Sequence, residues 1–404
     1  MSVLLGVIVG LLMLMLLVTL HEFGHFIAAR RNGVEVEEFG ICFPPRAIAW
    51  RKVDGKWRRL KRKEWDNPPG KGLIISLNWL PIGGFCQMHG ESDDDKRKHS
   101  FGQATYWQKV KILFAGVGMN WLTAFLIFTV LAFMGMPHFL DNQFVIESDV
   151  VPIATTNVKV TSVMEGSPAK KLGLQEGDVI RRLQSEDREE SVYVRMPDDL
   201  LEFDKEHAGE TIYITFIRGE QSITDTLTLN NTDAEYLLGA GISGGVIYKS
   251  TWSAPIVGAM TTLQLTGETF KGVGELIWNA CRGVVMQLSP SEETRTEGTQ
   301  ALEKAGDSVS GPVGIVGILF PAFTESGPRN LLFLVALISV SLACMNVLPI
   351  PALDGGRWLL ISIARLRKKK LSKKAEEKIV GRAFIVLLAI ILIVTILDIL
   401  RLIG

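Results

Sequence analysis

An almost uninterrupted apolar run from residue 3 to residue 20 closes on His21-Glu22-Phe23-Gly24-His25. About 20 apolar residues at 1.5 Å rise are enough to cross the hydrocarbon core, so the run reads as a membrane helix. Ionisable side chains at the end of such a helix are costly in lipid and mark function. Positions i and i+4 share a helix face, so His21 and His25 can reach one metal ion while Glu22 leans toward the same point as a base. An isolated HExxH pattern is weak evidence, because these residues also fall at that spacing on solvated faces. Its position in a membrane run reverses the odds.

The chain has 404 residues, 47% of them hydrophobic, and a mean hydropathy of +0.24, which favours a membrane protein over a soluble enzyme. Its 43 Lys and Arg balance 43 Asp and Glu, so net charge argues neither for nucleic acid nor for a strongly acidic partner. Cys42, Cys86, Cys281 and Cys344 show no C-x-x-C spacing, which suggests neither a disulfide framework nor a thiolate metal site. The first twenty residues lack a basic n-region and run into HEFGH without a small-residue cleavage site. They are expected to be a retained helix rather than a signal peptide.

The expected fold class is an α-helical polytopic membrane protein with about four transmembrane helices, a membrane-associated β-hairpin and an inserted β-rich domain. The spans are residues 1–30, 110–136, 331–366 and 383–404. Pro349 and Pro351, followed by Gly355-Gly356, should leave the third partly unwound at depth. Basic residues crowd the end of the first span and the segment 31–109, among them Arg30, Arg31, Arg58, Arg59, Lys61, Arg62 and Lys63. They crowd again from Arg365 through Lys368-Lys369-Lys370 to Lys378, around the loop 367–382. The positive-inside rule puts both loops on the cytoplasmic side, and both termini and the long segment between spans two and three outside. Within 31–109, the stretch of about 71–90, broken at Pro81 and Gly83-Gly84, is expected to form a membrane-level hairpin whose edge pairs with an unwound substrate.

Residues 150–248 have a soluble, β-rich pattern. Ile212, Ile214 and Phe216 alternate with polar or smaller neighbours, Gly219-Glu220 supplies a turn, and Ile223, Leu227 and Leu229 continue a second strand. Ser167 and Pro168 can start a short helix that Gly173 ends, and a second helix is expected from Asp198 to His207. In the stretch 253–330, residues 254–288 read as an amphipathic helix pair in the membrane interface. Residues 289–308 read as a solvated loop.

A hydrolytic zinc site takes three protein ligands and an open position for water. Asp354 is the candidate third ligand, in Asn346-Val347-Leu348-Pro349-Ile350-Pro351-Ala352-Leu353-Asp354-Gly355-Gly356 on the cytoplasmic side of the third span. A carboxylate near the bilayer centre costs about 2.5–3.5 kcal/mol, and zinc sites gain about 10–16 kcal/mol, so the metal offsets its burial. A helix N-cap is the plainer alternative for Asp354. His89 and His99 lie in the polar loop and His138 and His207 on the outer side, so they compete poorly.

With these residues in view, the chain resembles the site-2 protease family, intramembrane zinc metalloproteases of the RseP type, over most of its length. HEFGH and the N-x-x-P-x-P-x-L-D-G-G run match the family's two defining motifs. Leu80-Pro81-Ile82-Gly83-Gly84-Phe85-Cys86-Gln87-Met88, Ala115-Gly116 with Asn120, and Ser310-Gly311-Pro312-Val313-Gly314 resemble three further segments. The resemblance implies that His21, His25 and Asp354 hold one catalytic zinc ion, that Glu22 is the catalytic base and that Asn346 engages the substrate backbone. An interhelical hydrogen bond is the alternative for Asn346. Gly83, Gly84, Pro349 and Pro351 complete the candidate substrate contacts.

The resemblance also implies a single PDZ-like domain at 150–248, outside the membrane. No clear G-L-G-F loop is present, so steric filtering of bulky ectodomains is expected rather than capture of free C-termini. Val117 replaces the proline common after Ala-Gly in the family. The expected function is hydrolysis of peptide bonds in or beside transmembrane segments of single-span substrates, such as anti-sigma factors or signal-peptide remnants, in the bacterial inner membrane. The lipid bilayer is the other partner, and nucleic acid is not one. The rivals are a noncatalytic PDZ-containing adaptor with a structural metal, and a proton relay, for which no inverted repeat is visible.

Overall fold

The computed structural model describes residues 3–403 apart from 54, 66–67, 70–71, 141, 155–156, 188, 196, 232–236, 245, 308–310 and 369, so Ser310 and Lys369 fall outside the described residues. The chain divides into two units, Met1–Thr129 with Gly258–Gly404, and Val130–Val257.

Among the described residues, four helices are long and apolar enough to cross a membrane: α1 (Val3–Arg31), α2 (Tyr106–Met134), α9 (Pro328–Val347) and α11 (Lys373–Ile403). Their surfaces are inverted relative to a soluble protein. On α11, Ile385 and Leu392 are 67% and 61% exposed, whereas Glu376 and Asp398 are buried. Apolar outside and polar inside is the arrangement that lipid selects. The Asp398 carboxylate accepts from the backbone N–H groups of Gly311 (3.3 Å) and Gly314 (2.8 Å). Those groups open α7 (Pro312–Gly314), which continues through a π-helical turn, Ile315–Leu319, into α8 (Phe320–Glu325). Unpaired N–H groups and the helix dipole favour an anion there.

α9 stops at Val347, and the next helix, α10 (Asp354–Leu366), starts only after residues 348–353. Pro349 and Pro351 remove two amide donors from this stretch, so a helix cannot run through it. A Cβ on Gly355 would collide with the Val347 carbonyl, and one on Gly356 with that of Ile350. The glycine pair is what lets the chain fold back so tightly.

Between α1 and α2 lies a sheet of β1 (Val36–Val53), β2 (Lys56–Arg59) and β3 (Ile74–Met88) in the order β2-β1-β3. β3 does reverse direction within the expected hairpin at 71–90, but the pairing is corrected here: its halves do not pair with each other, because the first half of β1 stands between them, with Phe39 opposite both Ile75 and Cys86 and Ile41 opposite both Leu77 and Gly84. It is one bent strand whose first half pairs with the second half of β1 (Ile48 opposite Leu77, Arg51 opposite Ile74). Its second half pairs with the first half of β1 (Ile41 opposite Gly84, Phe39 opposite Cys86). Both strands carry prolines at their bends, Pro44-Pro45 and Pro81, where no amide is available for a ladder. The bends pack against the apolar run of α1: Cys42 Sγ is 3.3 Å from Met15 Sδ, and a Cβ on Gly83 would stand 2.8 Å from Val18 Cγ1.

Two further expectations are corrected. Residues 254–288 form one continuous helix, α5 (Ala254–Gln287), instead of a pair, since its interior glycines weaken a helix by about 1 kcal/mol each without removing a donor. The expected loop at 289–308 contains a helix, α6 (Glu292–Asp307), with Glu292 and Glu293 favourably placed in its first turn. Packing on α5 overrides its weak propensity: Gln287 Nε2 donates to Thr299 Oγ1 (2.8 Å) and to the Arg295 carbonyl (3.1 Å).

The second unit is built on β6 (Lys159–Val163), β7 (Val179–Ser185), β9 (Thr211–Arg218), β10 (Gln221–Thr228) and β11 (Ala240–Ser243), in the order β10-β9-β7-β6-β11, with β8 (Ser191–Tyr193) beside β7. A smaller sheet joins β4 (Met136–Pro137), β12 (Val246–Lys249) and β5 (Val151–Ala154). Two short helices complete it, α3 (Pro168–Leu172), capped by Ser167 Oγ and ended by Gly173, and α4 (Pro197–Glu206). Period-two alternation buries Ile212, Ile214 and Phe216 against Ile180, Leu183, Leu200 and Phe203. Arg218 grips the buried Asp178 through Nε (2.8 Å) and Nη2 (2.6 Å), and this pairing holds the Asp178 carboxyl below its usual range.

Burial pushes the Asp204 carboxyl up to about 7, against the opposing pull of His207. The unfolded chain releases this proton near 4, but the folded unit retains it until about 7. Stability is therefore full at low pH and falls as pH rises through that window, by at most about 1.4 kcal/mol per unit. Hydrogen exchange of the α4 amides, corrected for intrinsic rates, should show protection falling between about pH 4 and 7 by up to about tenfold per unit. Asp204→Asn should remove the slope, and a flat wild-type profile would refute the neutral buried carboxyl.

Candidate metal centre

His21 and His25 are both buried, on the α1 face that the i, i+4 spacing selects, with their Nε2 atoms 3.1 Å apart. Asp354, the first residue of α10, brings Oδ2 to 3.1 Å from His21 Nε2 and 3.3 Å from His25 Nε2. Leu353 occupies the N-cap position, so Asp354 is not the cap of α10. The three atoms form a triangle with edges of 3.1–3.3 Å. A tetrahedral zinc ion with bonds of about 2.0–2.1 Å has ligand–ligand edges of about 3.3–3.4 Å, so the triangle fits one face of its coordination shell. Asp354 Oδ2 accepts no hydrogen bond, and a buried orphan acceptor is costly unless a cation resolves it. The N₂O donor set is one that zinc accepts.

Second partners fix which ring nitrogens are free. His25 Nδ1 is 2.8 Å from the Ile112 carbonyl, which can only accept, so Nδ1 carries the proton and Nε2 keeps its lone pair. The Asn120 amide nitrogen stands 3.3 Å from His21 Nδ1 while its Oδ1 has no partner. Exchanging the two amide atoms lets Oδ1 accept from His21 Nδ1–H, which satisfies both groups and frees His21 Nε2. The Asn120 carbonyl in turn accepts from Ser339 Oγ at 2.8 Å, tying α2 to α9. Sequence reasoning named Asn120 only within a motif and missed Ile112, since a main-chain acceptor leaves no signal in residue identity.

Glu22 lies beside the triangle, with ligand atoms of His21, Glu22 and His25 all within 4.8 Å of one another. It faces a cavity of about 950 Å³, walled on one side by Phe85, Cys86 and Met88 and on the other by Pro351 and Asp354. Arg357 pairs with Glu376 (3.1 Å) at this cavity and so ties α10 to α11. Among the other sequence candidates, Pro351 lines the cavity, whereas Asn346, Pro349, Gly83 and Gly84 are not among its lining residues. Asn346 is half-buried on the last turn of α9, and its amide makes no hydrogen bond to another helix among the described residues. The remaining histidines are engaged elsewhere, His89 with Glu37, His99 with the Gly33 carbonyl, His207 with Glu210 and His138 against the Tyr248 ring.

Gly116 of α2 backs the two imidazoles. A Cβ there would stand 2.5 Å from His25 Nε2 and 2.7 Å from His21 Nε2, whereas one on Gly118 would meet open space. Gly116→Ala should therefore weaken zinc binding by about 10- to 100-fold, and Gly118→Ala should leave it unchanged, in competition with a chromogenic chelator. Equal affinities in both variants would remove Gly116 from the site.

The profile of peptidase family M50 matches residues 9–60 and 70–391. An inferred zinc metalloprotease of Clostridium perfringens is 29% identical over 394 residues, covering 97% of this chain and 98% of that protein. The zinc metalloprotease RasP of Bacillus licheniformis is 24% identical, covering 96% of each. The solved PDZ domain of an SdrC-like protein from Listeria monocytogenes aligns with 23% of this chain and 93% of its own at 18% identity, with a TM-score of 0.19. The family profile spans nearly the whole chain, including both parts of the centre described above, and the chain belongs to peptidase family M50, the site-2 protease family.

Proposed function

We propose that this membrane zinc metalloendopeptidase holds its metal through His21, His25 and Asp354 and cuts peptide bonds in or beside transmembrane segments, with Glu22 as general base. The observation that carries the reading is the 3.1–3.3 Å triangle of ligand atoms beside Glu22 at a cavity. Bound zinc supplies a Lewis acid that polarises the scissile carbonyl and makes water acidic enough to react near neutral pH. Glu22 takes the proton of the attacking water and returns it to the leaving amine. Ile112 and Asn120 hold the imidazoles in the tautomer that leaves Nε2 free.

A helical substrate must unwind to be cut, and each bare backbone group in lipid costs several kcal/mol. Residues 85–88 of β3 pair with β1 along one edge and line the cavity, so their other edge is suited to receive an unwound strand. The free amide of Asn346 adds a donor and an acceptor near the same chain reversal. Single-span membrane proteins, such as anti-sigma factors or signal-peptide remnants, are the substrates this chemistry fits. The second unit serves as a PDZ-like filter outside the membrane, with the centre toward the cytoplasmic side, where the basic loops lie.

The adaptor reading is disfavoured because a structural zinc site is closed by four protein ligands, and here three converge with a carboxylate poised beside them. The test is cleavage of a purified single-span reporter in proteoliposomes. Removing metal with a chelator should abolish it and restoring zinc should recover it, whereas cleavage that persists in metal-free protein would overturn the reading.

A further inference from the structure

The first unit contains a second cavity, of about 740 Å³, lined by residues of β1, β2, β3 and the segment that follows β2. Its lining combines apolar and basic side chains, Ile48, Trp65 and Trp79 with Arg59, Lys61 and Arg62, and among the described residues no carboxylate lines it. Arg46, which also reaches it, is already neutralised by the buried Glu38 and donates to the Trp65 carbonyl. Arg59 and Arg62 make no ion pair with any described residue. Residues 46–66 carry nine basic and three acidic side chains, so the positive potential extends well beyond the cavity.

The depth of the sheet decides what such a cavity meets. Its bend touches Met15 and Val18 within the apolar run of α1, and beside that bend Trp79 is 71% exposed, with Leu77, Leu80 and Phe43 also bare. Trp79 thus joins the cavity to the apolar bend, whereas Arg59, Lys61 and Arg62 reach it from β2 and the segment that follows. Tryptophan at the boundary and cations just beyond it form the profile of the phospholipid interface.

We propose that this cavity binds an anionic phospholipid, its phosphate among Arg59, Lys61 and Arg62 and its glycerol and upper acyl chain along Ile48 and Trp79. The site is separate from the metal centre, and it rests on the membrane placement of the chain rather than on its catalytic reading. A bound lipid would hold the sheet that borders the active-site cavity at a fixed depth.

Native mass spectrometry of the full chain, with phosphatidylglycerol and phosphatidylcholine of identical acyl chains, tests it. Each basic residue near an anionic surface contributes about fivefold in affinity, so wild-type protein should retain phosphatidylglycerol at least about tenfold better than phosphatidylcholine. The Arg59→Gln/Lys61→Gln/Arg62→Gln variant should lose that preference with its zinc content unchanged. If it does not assemble, Arg62→Gln alone should lower retention by about fivefold. Trp79→Ala should weaken retention of both lipids and keep the headgroup preference. Equal retention of the two lipids by wild type, full retention by the triple variant, or displacement of phosphatidylglycerol by excess inorganic phosphate or an acidic peptide would each overturn the proposal.

Discussion

Glu22→Gln is expected to lower cleavage of a single-span reporter by about 10²- to 10⁴-fold while leaving zinc bound and the fold intact. The amide matches the carboxylate in size, and Glu22 is not part of the 3.1–3.3 Å triangle formed by His21, His25 and Asp354. What is lost is a proton acceptor next to the centre, so the effect should fall on turnover and spare metal content. Single-turnover cleavage and metal analysis on the same preparation check both halves. Undiminished cleavage would remove Glu22 from the mechanism, and loss of zinc would make it a ligand instead.

Asp354→Ala should act in the opposite way, reducing bound zinc from near one ion per chain to below about a tenth and abolishing cleavage with it. Two imidazoles on one helix remain, and catalytic zinc sites rely on three protein ligands. Metal binding in such sites is also folding energy, so α10, which Asp354 opens, should exchange its amides faster in the variant. Inductively coupled plasma analysis after dialysis gives the stoichiometry. Full occupancy in Asp354→Ala would mean that the third ligand lies elsewhere.

The candidate site was legible in the chain because its parts are short and local. HEFGH needs only helical periodicity to put two imidazoles on one face, and the Pro349, Pro351 and Gly355-Gly356 pattern needs only missing donors and missing Cβ atoms to break a helix beside Asp354. The alternation of Ile212, Ile214 and Phe216 likewise announced a strand with one buried face, since period two survives any change of neighbour. The helix at Glu292–Asp307 was not legible, because its stability comes from α5 rather than from its own residues. The same limit hid the course of β3, whose halves pair with segments of β1 more than twenty residues away instead of with each other.

Residue order alone therefore determined the membrane class of this protein, the break in its third span and the identity of the metal-ligand candidates, since each follows from hydropathy, backbone chemistry or helical spacing within a few residues. Tertiary structure decided that Asp354 meets both imidazoles, that the Ile112 carbonyl and Asn120 set their tautomers, that Gly116 leaves them room, and that a bent sheet borders the cavity. These depend on distances between segments remote in the chain, and local propensity holds no information about them because packing and long-range pairing set the distances.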